Sequence, residues 1–233
     1  MTKRLLIIPA KGHSSRIPKK NIKKFYGKPI IHYSIISAKK SKIFDTIHIS
    51  TENTQVLKIA KRYNLSPNFM REKKFSYPKI GIFDVLKQDL LNFIKLGKKF
   101  DEVWCLFPCA PLLNFNDLKK LSQKIKKKKI KLPCISISKY PAPTQWAYKM
   151  DKKKRLYPIF KNLHLIQSQK LEQTYFDVGI LSVFKSEHLL KNNNKNINKK
   201  LYGYELPWEK VVDIDDMEDW GKAKILFKIN KLK

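Results

Sequence analysis

The chain has 233 residues, with 50 lysines and arginines against 19 aspartates and glutamates, a formal charge of +31 and 42% apolar residues. That length and apolar content suffice for one sizeable core, and fit a single α/β domain over residues 1–233. Only five basic residues are arginines (Arg4, Arg16, Arg62, Arg71 and Arg155), and lysine recurs with Asn and Ile in helices and loops alike, as in KNNNKNINKK. This is a compositional bias that argues against specific nucleic-acid binding, although so much charge still attracts small anions.

In chain order, strand and helix patterns alternate. RLLIIPA, residues 4–10, reads as a buried strand; its apolar run is too short for a signal segment, and no later stretch reaches the roughly 20 apolar residues of a membrane span, so a cytoplasmic protein is expected. Ile31, Ile35 and Ala38 share one face of a helix in KPIIHYSIISAKKS. FDTIHIST is a second strand, ending at Ser50 and Thr51, and NTQVLKIAKRYN a helix with Val56, Ile59, Ala60 and Tyr63 on one side. In IFDVLKQDLLNFIKLG, Phe83, Leu86, Leu90 and Phe93 recur at helical spacing and Gly97 stands where a helix terminates. DEVWCLFPCAPLL is a strand entering a proline-bounded loop, FNDLKKLSQKIKK a helix and LPCISISKYPAP a strand. Cys105, Cys109 and Cys134 show no CxxC or ligand spacing and are expected to be buried, inert thiols.

Residues 140–175 break the rhythm with prolines, aromatics and the turn MDKKK, and read as an arm or hairpin leaving the sheet. YFDVGILSVF returns as a strand, NNNKNINKK is a solvated loop, and EKVVDIDDMEDWGKAKILFKI reads as a strand followed by a closing helix. The fold expected is therefore a Rossmann-like α/β domain, a mainly parallel sheet with helices on both faces.

In such sheets ligands bind beyond the carboxyl ends of the strands. PAKGHSSRIPKKN, residues 9–21, falls there, as do Ser50 with Thr51, FPCAP and VVDID. The opening segment is not a Walker loop, but its N–H groups, the hydroxyls of Ser14 and Ser15, and the cations of Lys11, Arg16, Lys19 and Lys20 can cradle phosphates. Asp213 and Asp215, two apart in a strand, point the same way, while Val212 and Ile214 face the core. Paired carboxylates repel unless a cation lies between them, and Mg²⁺ takes one or two carboxylates with water and substrate phosphates filling the rest. Asp216 caps the final helix, with Glu218 and Asp219 in its first turn. Lysines facing a metal-bound polyphosphate point to phosphoryl or nucleotidyl transfer. His13, His164 and His188 have no metal-ligand pattern, and Trp146, Trp208 and Trp220 are expected to pack.

LLIIPAKGHSSRIPKKNIKKFYGKPIIHYSI, VWCLFPCAPLL and VVDIDDMEDW together resemble the acylneuraminate cytidylyltransferase family, the CMP-sialic acid synthetases and their relatives. KYPAPTQWAYKMD and QSQKLEQTYFDVG, with Phe107 before its proline, are most similar to the pseudaminic acid branch. The resemblance implies a homodimer joined through residues 140–175, and attack by the anomeric hydroxyl of a nine-carbon 2-keto sugar acid on the α-phosphate of CTP, releasing pyrophosphate. CMP-N-acetylneuraminate and CMP-legionaminate synthesis are the neighbouring alternatives.

It assigns Lys11, Gly12, Ser14, Arg16, Lys20, Asn21 and Arg71 to the nucleotide, Lys20, Asp213 and Asp215 to catalysis, and the two aspartates to Mg²⁺. Gln145, Gln167, Ser168, Gln169, Tyr175 and Asp177 fall to the sugar acid, with Gly179 keeping the approach open. Lys11 stands where the family has Arg, Ser15 where it has Lys, Gln167 where it has Arg and Phe176 where it has His, and FSYPKIG is shorter than its counterpart. A glycosyltransferase using DID as a D-x-D motif, and a basic nucleic-acid binder, are the readings from other classes.

Overall fold

The computed structural model describes residues 2–77, 79–192 and 199–232. In chain order the elements are β1 (Arg4–Pro9), β2 (Lys24–Phe25), β3 (Lys28–Pro29), α1 (Ile31–Ser41), β4 (Thr46–Ser50), α2 (Thr54–Lys61), α3 (Ile82–Lys95), β5 (Glu102–Leu106) and α4 (Phe115–Lys127). There follow β6 (Cys134–Lys139), β7 (Tyr148–Met150), β8 (Leu156–Pro158), β9 (Tyr175–Lys185), α5 (Ser186–Lys191), β10 (Tyr202–Glu205) and α6 (Met217–Leu232).

The main sheet runs β10-β6-β9-β5-β1-β4. β1 pairs in parallel with β4 and β5, and β10 with β6, whereas β9 is antiparallel to both of its neighbours. The sheet is thus mainly parallel, as the alternating pattern implies, with one reversed strand.

β1 explains why both faces are covered. Its side chains alternate, so Leu6 and Ile8 enter one core with Ile31 and Ile35 of α1, Val56 of α2 and Leu121 of α4. Leu5 and Ile7 enter the other with Leu86, Leu90 and Phe93 of α3. A third cluster joins Ile17 of the opening loop and Phe25 to Trp220 and Ala223 of α6. Phe25 meets Tyr33, Trp220 and Phe227 edge-on, with ring centroids 5.4–5.6 Å apart. Such pairs add about 0.5–1.5 kcal/mol each beyond the area they bury, and here they press α6 against the opening loop.

One expected strand is absent. Residues 211–215 form an extended segment outside the sheet, and the edge position belongs to β10, whose Tyr202–Glu205 pairs with Cys134–Ile137. The inside-outside alternation of VVDID nevertheless holds, with Ile214 buried in the third cluster and Val212 packed against it. Side-chain contacts fix which way an extended segment faces; ladder hydrogen bonds fix whether it is a strand. Trp208, read as a packing residue, is 68% exposed, while Trp220 is buried as expected.

The excursion at 140–175 consists of the antiparallel β7–β8 hairpin flanked by short 3₁₀ turns at Thr144–Trp146 and Ser168–Lys170. Asp151 shapes its turn by accepting from the backbone N–H groups of Lys153 and Arg155. Most of NNNKNINKK lies outside the described residues. Among the described residues no helix is long and apolar enough to cross a membrane.

Candidate active site

The carboxyl ends of β1, β4 and β5 lie along one edge of the sheet because the three strands are parallel. β9 reaches that edge with its amino-terminal half because it runs the other way, and Phe107 donates its N–H to the Ile180 carbonyl at 2.9 Å. Between β6 and β9 the register slips after Ile135↔Ser182 to Ile137↔Asp177, so β9 bulges there. Gly179 sits in the bulge with φ +68°, and a Cβ on it would lie 3.5 Å from Asp213 Oδ2. A side chain at that position is strained by the backbone, although a Cβ would meet the carboxylate only at ordinary contact distance.

These ends surround a cleft of about 290 Å³. Lys11, His13, Ser14, Arg16, Lys20 and Asn21 of the opening loop line one side. Asp213, Asp215, Arg71 and Gly179 also line it, and Phe75, Tyr77, Ile80, Ile82, Val85 and Phe107 supply its apolar part. Lys11, Ser14, Ser15, Arg16, Lys20, Asn21, Arg71, Asp213 and Asp215 are therefore brought together, as the sequence implies, whereas Lys19 and Gly12 do not line the cleft and the Gly12 N–H is taken by Glu52. Of the loops expected to converge, Ser50 and Thr51 are fully buried beneath the floor.

The opening loop is held internally. Asn21 is buried and donates its amide to the Lys11 carbonyl at 2.8 Å, while Cys109 Sγ lies 3.4 Å from Asn21 Oδ1. Burial pushes the Cys109 thiol up to about 12, so although it borders the cleft it is inert, as expected of a non-nucleophilic cysteine. Gly12 packs so tightly on Asn53 that a Cβ there would collide with the Asn53 side chain. Asn53 in turn caps α2, accepting from Gln55 and Val56.

The aspartate-bearing segment is tied from several directions. Lys20 Nζ donates to the Ile214 carbonyl, and Arg16 Nη2 lies 2.8 Å and Lys20 Nζ 3.5 Å from Asp215 Oδ1. Asp219 Oδ2 accepts from the N–H of Asp215 at 3.0 Å, and Asp216 Oδ1 from the N–H of Asp219 at 2.9 Å, so Asp216 caps α6 as its position implies. Lys210 bridges both carboxylate oxygens of Asp117 at the start of α4, at 2.6 and 2.7 Å. Burial, and then the neighbouring Asp215, raise the Asp213 carboxyl above the usual range, with Lys20 and Arg16 only partly offsetting them. Asp213 makes no ion pair among the described residues.

Arg71 is buried and held from below. Its Nε donates to Ser50 Oγ at 3.0 Å and its Nη2 to the Ser50 carbonyl at 2.7 Å, while its own N–H donates to the Thr51 carbonyl. Beneath it lie Asp89 and His48, neither suggested by any sequence motif. Burial pushes the Asp89 carboxyl up to about 6 against the pull of Ser50 and Arg71.

The sugar-acid candidates are gathered less tightly. Ser168 and Gln169 border a second hollow with Tyr140, Pro143 and Thr174 at the root of the arm, and Gln169 Nε2 lies 3.3 Å from Gln167 Oε1. Gln145 lies in the 3₁₀ turn across from it, Tyr175 pairs with Lys139, and Asp177 accepts from the Gly179 N–H at 2.8 Å. Only this last contact leads directly to the cleft. Phe176, the departure from His, packs on Tyr140 with centroids 5.1 Å apart.

Residues 5–206 match the cytidylyltransferase family. The chain belongs to that family. The match ends before Asp213 and Asp215, whose place in the cytidylyltransferase cleft therefore rests on the geometry above. Along its whole length the cytidylyltransferase chain is similar to the pseudaminic acid cytidylyltransferase of Campylobacter jejuni (strain 81-176), with 33% identity over 228 residues, 98% of this chain and 97% of that one. The CMP-N,N'-diacetyllegionaminic acid synthase of Legionella pneumophila is 23% identical, with 97% of each chain covered. Among solved structures, CMP:2-keto-3-deoxy-manno-octonic acid synthetase complexed with CTP superposes with a TM-score of 0.71 at 14% identity, covering 98% of this chain and 99% of that one. This last likeness shows that the cytidylyltransferase chain has a Rossmann-like α/β fold.

Proposed function

We propose that this protein joins CTP to a nine-carbon 2-keto sugar acid, pseudaminic acid foremost, giving the CMP-sugar and pyrophosphate. The observation that carries the reading is the cleft whose lining combines a cationic loop, two carboxylates beside it and an apolar wall. The likeness to pseudaminic acid cytidylyltransferase over nearly the whole chain supports the choice of sugar.

The triphosphate lies along Lys11, Ser14, Arg16 and Lys20, whose charges oppose the negative charge that gathers on the leaving pyrophosphate. The base rests against Phe75, Tyr77 and Phe107, and Arg71 reaches the nucleotide from the floor. No side chain need become covalently attached: the anomeric hydroxyl attacks the α-phosphorus in line, the bond to the β-phosphate oxygen breaks, and the hydroxyl proton leaves to solvent or base. Gln145, Gln167, Ser168, Gln169, Tyr175 and Asp177 form the acceptor subsite, with the arm root as its outer wall.

Asp213 and Asp215 fit a magnesium ion. Asp213 is an unpaired carboxylate whose charge is disfavoured by burial and by its neighbour, a situation that a cation relieves. Among the described residues no group of three or more potential donors exists, so water and phosphate oxygens would complete the shell, as is usual for this ion. When bound, it would neutralise phosphate charge and orient the α-phosphate. Lys20, fixed to the Ile214 carbonyl, keeps the aspartate segment in register with the phosphate loop.

The arm exposes Met150, Leu156, Tyr157, Ile159, Phe160 and Leu165. Such a patch supports pairing with a second copy in a homodimer.

Pyrophosphate release from CTP and Mg²⁺ tests the reading, with pseudaminic, legionaminic and N-acetylneuraminic acids offered separately and ATP, GTP and UTP as controls. Release with CTP and pseudaminic acid is expected. Release with another acid alone reassigns the sugar, and no release from folded protein refutes the activity.

A further inference from the structure

Glu52 follows β4 and belongs to no expected motif. Its Oε1 accepts from the Gly12 N–H at 2.7 Å and its Oε2 from the Ser76 hydroxyl at 2.6 Å. Gly12 lies in the opening loop, and Ser76 ends the 3₁₀ turn Lys73–Ser76 that bears part of the apolar wall. Among the described residues no hydrogen bond runs directly between these two loops. One carboxylate therefore spans the two sides of the cleft between which a nucleotide would lie.

We propose that Glu52 is a positioning residue that latches the phosphate loop to the apolar wall and thereby sets how tightly the nucleotide is gripped. The inference rests on the cytidylyltransferase reading for its ligand, but the latch exists without nucleotide.

Three features favour a latch over incidental packing. A carboxylate beside a loop that must bind phosphates repels the ligand, so a negative charge there needs a compensating role. Burial works against that charge, yet the bonds from Ser76 and Gly12 and the nearby Arg71 outweigh it and hold the carboxyl below its usual range. The anchor is also rigid: β4 fixes the preceding residues, and Asn53 is both the cap of α2 and the surface against which Gly12 is pressed. Both loops thus meet one fixed point, and displacing either would break a charge-assisted hydrogen bond.

The test compares Glu52→Ala, Glu52→Gln, Ser76→Ala and the Glu52→Ala/Ser76→Ala double variant in the full chain. Glutamine can still accept from Gly12 through Oε1 and donate to Ser76 through its amide, so it preserves the span without the charge. Hydrogen exchange without ligand reads the latch itself. Glu52→Ala should speed exchange in residues 11–16 and in 72–77 together, and Glu52→Gln should restore both.

Steady-state kinetics read its consequence. KM for CTP should rise about tenfold in Glu52→Ala, the scale of one charge-assisted bond, while KM for the sugar acid stays within about twofold. Glu52→Gln should lie within about threefold of the parent, Ser76→Ala between parent and Glu52→Ala, and the double variant should match Glu52→Ala. Faster exchange in only one loop, an unchanged KM for CTP, or additive effects in the double variant would overturn the latch. Absence of turnover in the parent would overturn the cytidylyltransferase reading instead, and the exchange comparison would still decide the latch.

Discussion

Replacing Asp89 with asparagine removes a carboxyl that burial has displaced from an ordinary 3.8 to about 6. Between those values the folded chain holds a proton that the unfolded chain has released, so Asp89 favours the folded state most strongly below about pH 4 and loses that contribution as pH rises through about 6. At roughly 1.4 kcal/mol per pH unit, the displacement amounts to about 3 kcal/mol. The parent's own profile would hide it. His48, pushed by burial down to about 3, is neutral in the folded chain and protonated in the unfolded chain over the same interval, and contributes with the opposite sign. Only the difference between parent and variant isolates Asp89. Asparagine suits the comparison because Asp89 Oδ2 has no hydrogen-bond partner, so the new amide displaces no existing contact. Urea unfolding at half-unit intervals from pH 4.0 to 7.5 should show Asp89→Asn gaining about 2.5 kcal/mol relative to the parent across the range, the remainder falling below pH 4. A difference constant to within about 0.5 kcal/mol would refute the assignment of a displaced carboxyl beneath Arg71.

Asp213→Ala and Asp215→Ala should each lower Mg²⁺-dependent pyrophosphate release by at least about a hundredfold, while thermal unfolding of the Asp213 variant begins no earlier than in the parent because a disfavoured charge is gone. Turnover retained in both would remove the metal role. Gly12→Ala should cost about 1–3 kcal/mol through its collision with Asn53, read by urea unfolding, and should weaken CTP binding as the loop shifts; an unchanged midpoint would show that the loop accommodates a methyl group.

Much of the fold was legible in the sequence because each buried strand and amphipathic helix carries its own periodicity. The direction of β9 was not, since YFDVGILSVF looks the same run either way, and its reversal depends on the arm that precedes it. VVDID displays strand alternation yet lies outside the sheet, because the edge was taken by YGYE, a short segment whose glycine and outward glutamate give little apolar signal. At the site, Lys11, Arg16, Lys20, Asp213 and Asp215 were recognisable by charge and spacing. Glu52 and Asp89 were not, since their partners lie 24 to 40 residues from Glu52 and on a different element from Asp89. One available clue was an acidic residue between a strand end and a helix cap, in STEN.

Lys20 reaches a carbonyl 194 positions further along the chain. Closing so long a loop yields nothing until most of the intervening sheet is in place, so the aspartate segment meets the opening loop only once the chain has largely folded. Completion of the cleft and global folding are consequently one event. A nucleotide captured there should pull on the entire folding equilibrium rather than on two loops, raising the melting temperature of the whole molecule in proportion to the logarithm of its concentration.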